Sequence, residues 1–158
     1  MYKTKNSLPE AVRSKSIALL NQHLALAIDL QTQTKQAHWN VKGPTFIALH
    51  ELFDKVNEEV EEFVDLIAER VTTLGGTAEG TIPVVAKKST LPPYPINIAG
   101  GQAHVEAVSS ALATFGASVR KAIDESAEFG DADTADLFTE VSRETDKQVW
   151  FLEAHLQA

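Results

Sequence analysis

Residues 50–69 read HELFDKVNEEVEEFVDLIAE, and their spacing decides the fold. Advancing about 100° per residue from His50, the residues Phe53, Val56, Val60, Phe63, Ile67 and Val71 gather within roughly 220–300°, one apolar stripe along a helix. On the same construction His50, Asp54, Glu58, Glu61, Asp65 and Glu69 fall between approximately 0 and 100°, with Glu51 and Glu62 at the edge. The stripe needs other helices to cover it. The acidic face is a standing cost, because Asp54/Glu58, Glu58/Glu62, Glu61/Asp65 and Asp65/Glu69 are like-charged i,i+4 pairs, each unfavourable by about a few tenths of a kcal/mol. Only Lys55 and Arg70, near its margins, offer relief from within the helix.

Working outward, the turn signal NVKGP at 40–44 precedes this helix, and Gly75 and Gly76 follow it. Upstream, Pro9 suits a first helical turn, and Val12, Ile17, Leu20, Leu24, Ile28 and Leu30 recur with no glycine or proline until Gly43, which predicts a first helix. Residues 75–100 hold four of the six prolines and four of the eight glycines and have no helical period, so they form a long connection with room for a short helical turn. Val105, Val108, Leu112, Phe115, Val119 and Ile123 predict a third long helix. After the break at Gly130 and Asp131, a fourth carries Leu137, Val141, the polar Gln148, Leu152 and Leu156. Four amphipathic helices with one crossover between the second and third match an all-α, ferritin-like four-helix bundle. Residues 1–8 read as a short flexible tail and 9–158 as the one domain.

The composition narrows the function. A net charge of −8 makes cations more natural partners than nucleic acid. Zero cysteines exclude disulfides, thiolate zinc sites and a cysteine nucleophile. No signal peptide is evident at the N-terminus and no apolar run approaches the roughly 20 residues of a membrane span, so the expectation is a soluble, cytoplasmic protein with no membrane partner.

A solvated acidic face is the plain reading of the second helix, but such faces usually interleave lysines at i+4, and this one hardly does. His50 and Asp54 stand one turn apart, a spacing that lets imidazole and carboxylate share a divalent ion. The first helix ends in QAHWN at 36–40, so an antiparallel hairpin brings His38 to the depth of His50. Asp54 and Asp65, eleven residues apart, lie about 16 Å apart along a straight helix and cannot grip one ion within one chain. Two antiparallel copies of the second helix about a two-fold axis near residue 60 would bring Asp54 of one level with Asp65 of the other, and an isologous interface repeats such a site twice. HELFD lacks the second histidine of HExxH, and no Glu-x-x-His occurs, which excludes a zinc protease and the usual di-iron cage inside one bundle. There is no phosphate-binding glycine loop or nucleophile elbow.

The ordered set His38, His50, Asp54, Asp65 and Glu69, within HWNVKGPTFIALHELFD and AERVTTLGG, closely resembles the Dps family, the DNA-binding proteins from starved cells, also called miniferritins. YPI at 94–96, DADTADL before the fourth helix, and Asp146, Lys147 and Trp150 extend the likeness through most of the chain. The resemblance implies a hollow homododecamer that oxidises ferrous iron, preferably with hydrogen peroxide, and stores the ferric product, protecting against oxidative stress. It implies catalytic and metal-ligand roles for His38, His50, Asp54, Asp65 and Glu69. The two histidines and first aspartate would come from one subunit and the later two acids from its mate. Iron is the implied metal, with zinc or another divalent ion able to substitute.

Further roles follow from the resemblance or compete with plainer ones. Glu51, Glu58 and Glu62 either nucleate mineral in the cavity or are simply exposed or interfacial. Asp131, Asp136 and Glu140 resemble the acids of the family's three-fold pores, though Asp131 or Asp133 alternatively caps the fourth helix. Trp39 either intercepts stray oxidising equivalents or packs. His23, His104 and His155 receive no role. The tail departs from the DNA-binding members, since only Lys3 and Lys5 precede Pro9; DNA binding is expected to be weak or absent and salt-dependent. A nucleoid-binding protein with secondary iron chemistry is the competing reading.

Overall fold

The computed structural model describes residues 1–157 and contains five helices among them: α1 (Glu10–Asn40), α2 (Phe46–Thr73), α3 (Ile82–Lys88), α4 (Gly101–Phe129) and α5 (Ala132–Glu153). The four long ones form the expected bundle. α3 is the helical turn inside the long connection and packs against α1.

α2 is a single uninterrupted helix, and its predicted stripe is the core: Phe53, Val56, Val60, Ile67 and Val71 are fully buried and Phe63 nearly so. α1 departs from a one-faced helix. Residues 23–27 are buried consecutively, because α2 and α4 cover one side while α3 and the crossover cover another. The one polar residue on that run is satisfied in place: His23 Nδ1 bonds the Leu19 carbonyl at 2.9 Å and Nε2 the Ser118 hydroxyl at 3.0 Å. Gln148, the polar lapse in the fourth long helix, is buried as well.

The crossover sets the topology. It leaves α2 at the end where α1 begins, and returns to the α1–α2 turn, where Gly100 pairs with Lys42 and Gly101 sits against Leu49. α4 therefore starts level with the start of α2 and runs parallel to it. Gly130 ends α4 in the left-handed conformation at φ 84°, and Asp131 caps α5 one residue later.

Residues 1–8 lie against the far end of α2. The Tyr2 N–H donates to the Gly75 carbonyl at 2.6 Å, and Arg13 donates to the carbonyls of Leu8 at 3.2 Å and Leu74 at 2.9 Å. Gly75 has φ 86°, and a Cβ there would stand 2.8 Å from the Tyr2 carbonyl oxygen, so both backbone conformation and contact require glycine.

Candidate metal centre

The α1–α2 turn brings His38 and His50 face to face, with ring centroids 3.7 Å apart and planes inclined by 24°. Each ring is fixed by the other's backbone: His38 Nδ1 bonds the His50 carbonyl at 2.9 Å, and His50 Nδ1 bonds the His38 carbonyl at 2.9 Å. A carbonyl only accepts, so both Nδ1 atoms carry hydrogen. That leaves Nε2 of each neutral ring with a free lone pair, the tautomer a metal ligand needs.

Asp54 stands beside this pair, its Oδ1 3.7 Å from His38 Nδ1. It is ion-paired to Lys35, and that ammonium is the main reason its carboxyl is held below the usual range, with the two histidines assisting. Position along α2 points only to Lys55 and Arg70 as relief for the acidic face, whereas Lys35 reaches it from α1. The signal was present, since Lys35 lies one turn before His38 on the same face of α1. Asn57, in the next turn of α2 beyond Asp54, donates to the Gln31 carbonyl at 2.7 Å and the Thr34 hydroxyl at 2.8 Å, locking α1 to α2 just beyond the site.

Asp65 and Glu69 are exposed on α2 and, because α2 is continuous, remain about four to five turns from the histidines. Among the described residues no group of three or more histidine, aspartate or glutamate side chains in one chain is placed to hold a metal ion. The single chain thus presents two fragments: His38, His50 and Asp54 at one end of the acidic face, Asp65 and Glu69 toward the other. Glu51, Glu58 and Glu62 are all exposed on that helix.

Asp131 corrects the pore expectation. It is 1 % exposed, its Oδ1 accepts from the Thr134 N–H at 3.1 Å and from Arg70 Nη2 at 2.7 Å, and its Oδ2 accepts from the Thr134 hydroxyl at 2.7 Å. Burial pushes its carboxyl up, but Thr134, with the nearby Ser16 hydroxyl and Arg70, outweighs that and holds it below the usual range. A carboxylate so enclosed caps α5 and cannot line a channel. Arg70 is consumed here rather than on the acidic face. Asp136 and Glu140 remain exposed on α5, and Trp39 is 67 % exposed, outside its own chain's core.

The Ferritin-like domain family matches residues 17–158. The chain is 49 % identical over 156 residues to the "DNA protection during starvation protein" of Agrobacterium fabrum, covering 99 % of this chain and 96 % of that one. The chain belongs to the Dps family. Its fold agrees with solved Dps structures: that of Mycobacterium smegmatis in a tetragonal form, at a TM-score of 0.93 and 33 % identity over 99 % of this chain and 95 % of the other. The Dps of Microbacterium arborescens in its high iron form superimposes at a TM-score of 0.90 and 32 % identity, covering 98 % and 100 %. As a Dps chain it has the bundle and crossover of that family, and none of its helices is long and apolar enough to cross a membrane among the described residues.

Proposed function

We propose that this Dps chain oxidises ferrous iron at sites completed between two copies and stores the ferric product inside a twelve-subunit shell. The observation that carries the reading is the stacked pair of His38 and His50, whose Nδ1 atoms are spent on backbone carbonyls while both Nε2 atoms stay unspent, with the Asp54 carboxylate 3.7 Å from His38 Nδ1. Imidazole with carboxylate suits iron, and anionic oxygen donors favour the ferric product. Iron is the substrate and cargo; zinc or another divalent ion would compete for the same donors.

Asp54 is the group that changes partner. Its charge is balanced by Lys35 before iron arrives, so binding exchanges one cation for another and releases a half-exposed ammonium to water. The remaining donors are Asp65 and Glu69 of a second copy, because 16 Å of helix cannot be bent back. An antiparallel pairing of two α2 helices supplies both halves twice. Two ferrous ions held together can deliver two electrons to one hydrogen peroxide, giving two ferric ions and two hydroxides without releasing hydroxyl radical. Glu51, Glu58 and Glu62 offer oxygen donors for mineral growth, and Asp136 and Glu140 are the remaining exposed acids for an entry path. Protection of DNA would then follow from removing iron and peroxide, in a cytoplasmic setting.

Complementation tests the shared site. His50→Ala and Asp65→Ala shells are each expected to lose ferrous oxidation, while shells reassembled from an equal mixture recover about a quarter of the wild-type sites, since half of the two-fold pairs are mixed and each holds one intact site. No recovery in assembled mixed shells would place the site inside one chain or elsewhere.

A second reading rests on the relative's name: direct shielding of DNA. Lys3 and Lys5 are exposed, but Arg13 is spent on backbone carbonyls and the tail is laid against α2. Gel retention of DNA at low salt that vanishes in Lys3→Ala/Lys5→Ala would support this reading.

A further inference from the structure

Tyr94, in the crossover, and His104, in the first turn of α4, form a pair that the proposed iron chemistry does not use. The Tyr94 hydroxyl lies 2.5 Å from His104 Nδ1, and the two rings are nearly parallel, inclined by 21°. His104 is 1 % exposed, and burial lowers its basicity, so the ring is neutral. The Asn40 carbonyl beside it opposes that shift, yet Nε2 makes no hydrogen bond of normal geometry. A carbonyl only accepts, so the nitrogen turned toward it carries the hydrogen, leaving Nδ1 to accept from the phenol. Tyr94 itself faces an open groove of about 1030 Å3 that Lys35, Trp39 and Glu61 also line. The groove borders the candidate metal centre through Lys35, the partner of Asp54.

We propose that Tyr94 and His104 form a reversible one-electron donor that intercepts radicals escaping from the metal centre. The proposal rests on the iron and peroxide reading of that centre. If a lone ferrous ion meets peroxide, the products are a ferric ion, hydroxide and hydroxyl radical. Tyr94 then gives the radical one electron as its phenol proton crosses to His104 Nδ1: hydroxyl radical, Tyr94–OH and neutral His104 become hydroxide, Tyr94–O• and protonated His104. A second ferrous ion reverses the change, restoring Tyr94–OH and neutral His104 and becoming ferric. The sum is two ferrous ions and one peroxide giving two ferric ions and two hydroxides, the same balance as the paired reaction.

Two features suit the pair to this task. Burial pushes the Tyr94 phenol up to about 12, so the proton is still present at neutral pH and must leave with the electron. A base already hydrogen-bonded to it removes the need for a water molecule to diffuse in. The chain has only one other tyrosine, Tyr2, 70 % exposed at the N-terminus, so the assignment is separable.

The test uses assembled protein in the Tyr2→Phe background and two oxidants. Azide radicals from pulse radiolysis, without iron, should give a tyrosyl absorption that is absent from Tyr2→Phe/Tyr94→Phe. His104→Gln should slow its appearance by roughly 100-fold, the usual worth of a positioned proton acceptor. With ferrous iron and peroxide, freeze-quench electron paramagnetic resonance should show the same radical, and Tyr94→Phe should leave the iron oxidation rate within about twofold while tryptophan oxidation rises. Absence of a tyrosyl signal with both oxidants would overturn the pair. Should the folded His104→Gln shell form the radical at the parental rate, His104 is not the acceptor and the proposal also fails. Failure of the iron reading looks different: ferrous oxidation is absent in the parent, while the azide experiment still yields the Tyr94 radical.

Discussion

The two ends of α2 carry the same chemical pieces and put them to opposite uses. At the α1–α2 turn, Asp54 is paired with Lys35 at 40 % and 34 % side-chain exposure, and both histidines keep an unspent Nε2. At the far end, Asp131 and Arg70 are paired at 1 % and 12 %, and the carboxylate accepts from three donors. A carboxylate–cation pair is structural when burial and hydrogen bonds use its whole capacity, and exchangeable when water can replace either partner. Residue type says nothing about which case applies.

Measurements at each end put that contrast at risk. Asp131→Ala should have the largest effect, a loss of about 3 kcal/mol in denaturant unfolding, because it takes the main charged partner from a largely enclosed guanidinium and removes the α5 cap. Asp54→Ala should cost under about 1 kcal/mol by the same measurement, since its pair is exposed; equal losses would erase the distinction. At the Arg70 end, Gly75→Ala should cost about 1–2 kcal/mol through its left-handed backbone, and more if the Tyr2 contact does not give way.

Acid should act at two levels. Burial lowers His23 and His104 below the ordinary histidine value, so in the window beneath about 6.5 the unfolded chain takes up protons that the folded one refuses. Stability is therefore full above that window and falls with decreasing pH, by up to about 1.4 kcal/mol per pH unit for each ring. A folded His23→Gln variant should show a shallower decline between pH 6.5 and about 5 in thermal unfolding. Asp131, held below the usual range, adds a second loss only at lower pH, as its carboxylate is protonated on descending through its folded value.

The smallest effect is expected at Lys35. Lys35→Gln removes the competing cation from an exposed pair worth about 0.2–1 kcal/mol, so zinc titrated into the assembled shell should bind up to roughly fivefold more tightly. Weaker binding would mean that Lys35 supports the site instead of guarding it.

Much of the bundle was legible because helical periodicity is local. The stripe from Phe53 to Val71, the breaks at Gly43, Gly75 and Gly130, and the proline-rich crossover each declare themselves within a few residues. α1 was less legible, since burial of residues 23–27 depends on α3 and the crossover folding over it. The site was half legible: the meeting of His38 with His50 follows from a short hairpin, whereas Lys35–Asp54 and Tyr94–His104 depend on which rotamers and neighbours the packed chain allows.

From residue order alone came the four long helices, the acidic face of α2 and the 16 Å that separates its two sets of donors, because a rise of 1.5 Å per residue leaves no freedom in that distance. Packing alone assigned the carboxylates their partners, turning Asp131 inward to Arg70 across 61 residues and leaving Asp54 outward with Lys35 across 19. The reason is physical: helix geometry is set by neighbours along the chain, but the cost of a charge is set by how much water and how many donors surround it once the helices have met.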